Sequence, residues 1–420
     1  MATSRSKRFD EKRDDIIACA TTLINERGVR GMTLADVASA AGIVPTSIAY
    51  YFGKKEALAA ACFEVGLERM HRLVAAAQKY DTARARLTAL IQGYFELRRR
   101  ITLGEEPPIP VFSDIRTLGD PWREGVRNAW KRFFGEVRDL LRSPEMAWLR
   151  ARAAAARTNI IIEHMLWLNA WLPRYDVDEY PRLCQRMLDI MLDGIALPGA
   201  NWAPQPLGLV DPDADEQAMP DALLIAATRL INQHGYKGAS VDKISAALQR
   251  TKGAFYHHIN GKDDLVAAGF ERSFEVLRSA QNKGLALEGD AWLRLNSIVA
   301  ALTEFQISSA GPLMRMSALQ SMPEPMRLKV LEGSDRIARR FSGMVSDGAA
   351  EGSLRPVDPA IASRMLNAAI NAVADRRLAI QDPQLERAPL QYAVPMLFGV
   401  LCGPVKEVLT IGPKAETLAL

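Results

Sequence analysis

Cysteine is scarce in this chain of 420 residues: Cys19, Cys62, Cys184 and Cys402 stand singly, and no Cys-x-x-Cys pair occurs. That spacing excludes a disulfide framework and a cysteine-based zinc site, and it reads as four small apolar side chains. Long apolar runs are missing as well; none approaches the ~18 residues of a membrane helix, so no span is expected. The first residues are basic and polar, without the apolar centre of a signal peptide, which points to the cytoplasm. Histidine is thin too, and His71, His164, His234, His257 and His258 show no metal-binding spacing. The adjacent His257 and His258 would point about 100° apart on a helix. No Gly-x-Ser-x-Gly elbow, phosphate loop or His-Glu-x-x-His is found, so nothing implies an enzyme, a cofactor or a metal. No apolar-polar alternation marks a strand, and the pattern is helical throughout.

What is present is a repeat. Residues 13–58 return without a gap as 220–265: Gly28 matches Gly235, Gly31 Gly238, Thr33 Ser240, Val37 Ile244, Lys55 Lys262 and Leu58 Leu265, always 207 residues apart. A repeat of that length makes the chain two related halves, each opening with the same small helical module. In each copy apolar residues at helical spacing (Ile16, Ile17, Ala20, Leu23, Ile24; Leu223, Leu224, Ala227, Leu230, Ile231) end at a glycine, the mark of an amphipathic helix. Thr33 and Ser240 are placed to cap a second, short helix. In the first copy a turn at Ala40, Ala41 and Gly42 leads into a third helix over residues 45–52. Two short helices across a tight turn make a helix-turn-helix, whose second helix can enter the DNA major groove with its N-terminal residues leading.

The string Gly-Met-Thr-Leu-Ala-Asp-Val-Ala-Ser-Ala-Ala-Gly-Ile-Val-Pro-Thr-Ser-Ile-Ala-Tyr-Tyr-Phe-Gly-Lys-Lys-Glu-Ala-Leu, residues 31–58, resembles the DNA-binding signature of TetR-type transcriptional regulators, and residues 251–265 are similar to the same signature. The resemblance implies an all-α fold of two tandem TetR-like units, each a helix-turn-helix DNA-binding domain followed by a helical ligand-binding and dimerisation domain. The divisions expected are 1–56 and 57–197, a linker over 198–219, then 220–263 and 264–420. Most such regulators carry one unit per chain and pair as homodimers, so the tandem form is a minority arrangement. Two departures stand out. Ala49 replaces the first tyrosine of the usual Tyr-Tyr-x-Phe run, which Tyr256 keeps. Gln249 and Arg250 stand where the first copy has Gly42 and Ile43, so the second turn is less ideal and an apolar packing position is charged.

On the motif's geometry, Thr33 and Ser240 donate to a phosphate that the helix dipole also attracts. Pro45, Thr46 and Ser47, or Thr251, Lys252 and Gly253, lead the recognition helix toward base edges; threonine methyls suit thymine and Lys252 suits guanine. Tyr50 and Tyr51, or Tyr256, His257 and His258, follow one turn later and divide between base contact and phosphate positioning, unless one aromatic of each pair serves packing. Lys55 and Lys262 open the next helix, where the family places a lysine against the DNA backbone.

The net charge of +4 is unevenly spread: residues 1–200 hold 30 Lys+Arg against 25 Asp+Glu, and residues 201–420 hold 23 against 24. Arg5, Lys7, Arg8, Lys12 and Arg13 are expected to precede the first helix, either as an arm along phosphates or as a solubilising tail. The second copy is instead preceded by Asp211, Asp213, Asp215 and Glu216, which weakens its grip on DNA.

Behind each head the pattern predicts long helices: 57–79, 83–101, 122–141, 146–171 and 177–194, then 264–280, 291–309, 326–348, 359–379 and 389–400. Phe112, Trp130 and Trp167 in the first half, and Phe305 and Met314 in the second, are the candidates to line a pocket for an apolar effector, with ordinary core packing as the plainer reading. The connecting stretch 197–220 is rich in Pro, Gly and Asp, and its ~24 residues could extend on the order of 80 Å, enough for half-sites about 34 Å apart. The expected partners are double-stranded DNA and a small apolar effector. The expected assembly is an intrachain pseudo-dimer on an asymmetric operator; a homodimer reading through the first head alone, with the second half as a sensing or interaction scaffold, is the alternative.

Overall fold

The computed structural model describes residues 2–210, 221–247, 261–315, 322, 324–374 and 388–404. The first head holds α1 (Ala2–Gly31), α2 (Leu34–Ala40) and α3 (Pro45–Phe52). Its body holds α4 (Lys55–Ala77), α5 (Ala83–Thr102), a 3-10 turn (Phe112–Thr117), α6 (Trp122–Asp139), α7 (Ala151–Trp171) and α8 (Tyr180–Asp193). The second half repeats the order with α9 (Ala222–Gly238), α10 (Val241–Ala247), α11 (Lys262–Leu285), α12 (Ala291–Ile307), α13 (Glu324–Glu351), α14 (Pro359–Val373) and α15 (Ala388–Phe398). The described residues contain no strand, only an isolated bridge between Ala196 and Leu354. The fold is all-α.

The same local causes act in both halves. Gly28 interrupts α1 at φ 70°, ψ 165°, and Gly235 interrupts α9 at φ 72°, ψ 166°. Only glycine adopts that backbone cheaply, which is why the repeat keeps both. Thr82 caps α5 by accepting from Ala85 N–H (3.1 Å), and Asp290 caps α12 by accepting from Leu293 N–H (2.8 Å).

Helix extents follow the periodic pattern closely, apart from α14, which ends at Val373 and not at 379 with Ala374 as its C-cap, and apart from two further corrections. The basic stretch expected to precede the first helix is part of it: α1 starts at Ala2, because no breaker stands before Gly28, and Lys7 and Glu11 pair one turn apart at 4.0 Å. And α7 starts at Ala151, not 146, because Pro144 opens a 3-10 turn and Arg150 is extended (ψ 155°). The described part of the linker, residues 198–210, packs on the second half. Trp202 and Leu207 are buried, Trp292 Nε1 donates to Asn201 O (2.9 Å), and Lys283 Nζ donates to Gly208 O (2.7 Å).

α7 is buried around most of its circumference, as a helix packed on both sides must be. It lies against α6 in its own half and against α14 and α15 of the other, while α8 packs on α14. The ends of α8 and α15 cross. Ile195 and Ala196 N–H donate to Leu397 O (2.8 and 3.0 Å), and Val400 N–H donates to Met191 O (2.8 Å). Gly194 (φ 69°) and Gly399 (φ 87°) sit at this crossing, and a Cβ on either would overlap the opposite backbone, at Leu397 or at Leu192. Ion pairs Arg355–Asp189 (2.7 Å), Arg174–Asp335 (2.9 Å), Arg315–Glu163 (3.2 Å) and Arg186–Asp358 add to the contact. His164 is buried here with no hydrogen-bond partner for Nδ1 among the described residues, and burial pushes its imidazole down to about 3. It is therefore neutral at pH 7.

Candidate nucleic-acid interface

In the first head Thr33 is extended and caps α2, its Oγ1 accepting from Asp36 N–H at 3.1 Å. Gly42, at φ 64°, makes the turn into α3, and Pro45 occupies that helix's first turn, where its missing N–H costs nothing. Ile48 is fully buried and fixes the roll of α3. As a result Pro45 and Thr46 face solvent, Ser47 is half-buried, and Tyr50 projects with 77% of its surface exposed.

Tyr51 is held differently. Phe9, from the first turns of α1, stacks on it at 4.6 Å between centroids and meets Tyr50 edge-on at 6.0 Å. Arg13 lies over the Phe52 ring (5.5 Å) and Lys12 Nζ donates to Ala41 O (3.0 Å). The stretch read from the sequence as an arm or tail thus braces the reading helix, while Lys7 and Arg8 stay exposed beside it. Sequence reasoning missed Phe9; the signal was a lone aromatic among charges in a segment without a helix breaker. Lys55 opens α4, and its Nζ donates to Arg30 O at 3.2 Å.

The second head repeats the cap, with Ser240 Oγ accepting from Lys243 N–H at 3.3 Å, and Lys262 opens α11. Thr251, Lys252, Gly253, Tyr256, His257 and His258, with Gln249 and Arg250, lie outside the described residues.

Each head is tied to its body by an asparagine that the repeat carries. Asn25 donates to Ile109 O (2.9 Å) and accepts from Val111 N–H (2.9 Å). Asn232 donates to Leu313 O (2.9 Å) and accepts from Arg315 N–H (3.0 Å). Beyond the first clamp, the buried Asp114 accepts from Val29 N–H at 2.9 Å, and Arg116 reaches across to donate to Asn232 O. Residues 109–117 therefore touch both heads, a role that residue pattern alone does not signal.

Of the expected pocket residues, Phe112 and Trp130 come together with rings 5.5 Å apart, Phe112 buried and Trp130 half-buried. Trp167 is half-buried on α7. Phe305 and Met314 are buried in the second half, with the Arg272 guanidinium 5.7 Å from the Phe305 ring. No cluster of His, Cys, Asp and Glu able to hold a metal occurs among the described residues, and none of their helices is long and apolar enough to cross a membrane.

Comparison with known proteins gives the same frame. The family model for bacterial regulatory proteins of the tetR family matches residues 16–62 and again 223–268, and that for a tetracyclin repressor-like C-terminal domain matches 288–375. The transposon Tn10 TetC protein of Escherichia coli is 25% identical over 146 residues, covering 35% of this chain and 73% of its own length. Among solved structures, the TetR family regulator PfmR from Thermus thermophilus is 24% identical with a TM-score of 0.36, spanning 43% of this chain and 98% of its own. AibR, solved with isovaleryl coenzyme A and operator DNA, is 20% identical with a TM-score of 0.35 over 44% and 98%. With the DNA-binding match found twice, once at the start of each half, this chain belongs to the tetR family of bacterial regulatory proteins, as a DNA-binding transcriptional regulator that carries its helix-turn-helix unit in duplicate.

Proposed function

We propose that this protein is a cytoplasmic, ligand-responsive repressor that carries both partners of a regulator dimer on one polypeptide and reads an asymmetric operator through two different heads. The observation that carries the proposal is the reciprocal crossing of α8 and α15, with Gly194 and Gly399 each fitted against the other's backbone. The contact of Arg116 with Asn232 adds to it by tying the second head to the first body. In the first head Thr33 and Lys55 meet phosphates, Pro45, Thr46 and Ser47 approach base edges, and Tyr50 reaches beyond them. In the second, Ser240 and Lys262 take the phosphate role, and Thr251, Lys252, Gly253, Tyr256, His257 and His258 supply different base chemistry. Phe112, Trp130, Trp167, Phe305 and Met314 remain the proposed apolar effector contacts.

One observation favours a second reading, a homodimer that binds DNA through the first head and keeps the second as scaffold. Gly42 has φ 64°, and the repeat sets Gln249 at that position, where a side chain costs about 1 kcal/mol. Light scattering of the protein alone and on its own promoter fragment, run beside a footprint, separates the two. One chain on a two-half-site asymmetric footprint supports the intrachain pair. Two chains per site, protected only in first-head sequence, would replace it with the homodimer.

A further inference from the structure

Where the first head meets its body, between α1, α4 and α5, lies a cavity of about 570 Å³, a volume typical of small-molecule sites. Its lining combines the apolar Ile17, Val65, Leu73 and Leu97 with Arg69, Arg72 and Arg100 and with two carboxylates, Asp14 and Glu106. Two of these cations have internal work. Arg69, whose side chain is 8% exposed, pairs with Glu106 at 2.6 Å and donates to Pro107 O (2.6 Å) and Pro108 O (3.2 Å). Arg100 shares the same Glu106 at 2.6 Å. Arg72, three residues along α4 from Arg69, is exposed, has no hydrogen bond or ion pair among the described residues, and adds its positive charge to that around Arg69.

The corresponding junction of the second half carries different side chains. By the repeat, Asp14 and Val65 correspond to Asp221 and Arg272, which form an ion pair from head to body at 3.1 Å. Arg272 also donates to Ala310 O (2.9 Å) and lies over Phe305, the counterpart of Leu97 when α5 and α12 are aligned on their caps. Ala18 becomes Ile225, and Met314 packs against Gly269, the counterpart of Cys62. The three cations disappear: Arg69, Arg72 and Arg100 align with Val276, Ser279 and Ser308. At the positions of the first half's arginines the second half thus carries Val276, Ser279 and Ser308, and at those of Asp14 and Val65 it carries an internal ion pair.

We propose that the first junction binds a small amphipathic anion, its single carboxylate-like group facing Arg72 and Arg100 and its apolar body lying against Ile17, Val65, Leu73 and Leu97. Held there, it fixes α1 against α4 as the Asp221–Arg272 pair does in the second half. Binding at this site stands apart from how DNA is read; only its effect on DNA rests on the function proposed above. The test is therefore calorimetry on the full chain without DNA, using octanoate, octanol and acetate as probes. Octanoate is expected to bind at one site at least tenfold more tightly than octanol or acetate, since charge and tail are both needed. Arg72→Gln is expected to weaken octanoate about tenfold with no change in melting temperature, because Arg72 is exposed and unpaired. Val65→Arg, which supplies the second half's arginine opposite Asp14, is expected to abolish binding. Equal affinity for octanoate and octanol, an unaltered Arg72→Gln, or no octanoate binding would overturn the site. Octanoate binding that leaves operator affinity unchanged would overturn its regulatory effect alone.

Discussion

Asn25 in the first half and Asn232 in the second make the same pair of backbone hydrogen bonds to the segment after the following body's second helix, within 0.1 Å of each other in length. A few positions away the halves part company: Ala49 faces Tyr256 in the repeat, Gly42 faces Gln249, and Val65 faces Arg272. Asn25 and Asn232, which satisfy backbone N–H and C=O groups, have been kept because an orphaned group costs about 1–3 kcal/mol at either copy; of the glycines at positive φ, Gly28 is kept as Gly235 and Gly42 is not. Val65, which lines the cavity beside α1, carries no such penalty and has changed, as has the exposed Ala49 of α3. In a duplicated module the shared positions identify the scaffold, and the unshared ones identify where each copy acquired its own task.

That contrast can be broken at several points. The largest effect is expected at the crossing: Gly194→Val and Gly399→Val should each destabilise the chain by about 4 kcal/mol in urea unfolding, through backbone overlap and unfavourable φ. A large loss from one and none from the other would end the reciprocity. Next, Asn25→Ala and Asn232→Ala should cost about 2 kcal/mol each, and equally, since each leaves a partly buried carbonyl and N–H unpaired. Unequal costs would mean that the two clamps do different work. Smaller still, Tyr50→Ala and Lys252→Ala should weaken operator binding by about 1–2 kcal/mol, each within its own half-site; a footprint that fades evenly over both would contradict two distinct heads. The mildest concerns pH. His164 titrates at about 3 when folded, below its ordinary 6.5, so the unfolded chain takes up the proton first and stability falls as pH drops through 6.5 toward 3. At pH 5.5 the loss should be on the order of 1 kcal/mol, absent in His164→Leu; an unchanged acid profile in that variant would sink the assignment.

Much of the architecture was legible because it rests on short-range chemistry. The periodicity and caps predict helices at 57–79 and 264–280, and the structure has Lys55–Ala77 and Lys262–Leu285. The glycine, threonine and serine punctuation of the head appears in the backbone as read. What stayed hidden depends on contacts between distant residues. Phe9 and Lys12 looked like part of a solvated arm because their partners, Tyr51 and Ala41, are some thirty to forty residues on. The cavity beside α1 comes from side-chain volumes on three helices, which no spacing along the chain reports. The 3-10 turn at Phe112–Thr117 is too short to show a period, and its reach to Asn232 crosses between halves.

The crossing at Gly194 and Gly399 also changes the arithmetic of assembly. When two bodies that must meet are joined by a peptide, their encounter is unimolecular, and the linker sets an effective concentration on the order of millimolar. Under the intrachain pairing proposed above, dilution that would separate ordinary subunits leaves the two bodies together. The gene then encodes a fixed left and right, so a substitution in one body is never mirrored in the other.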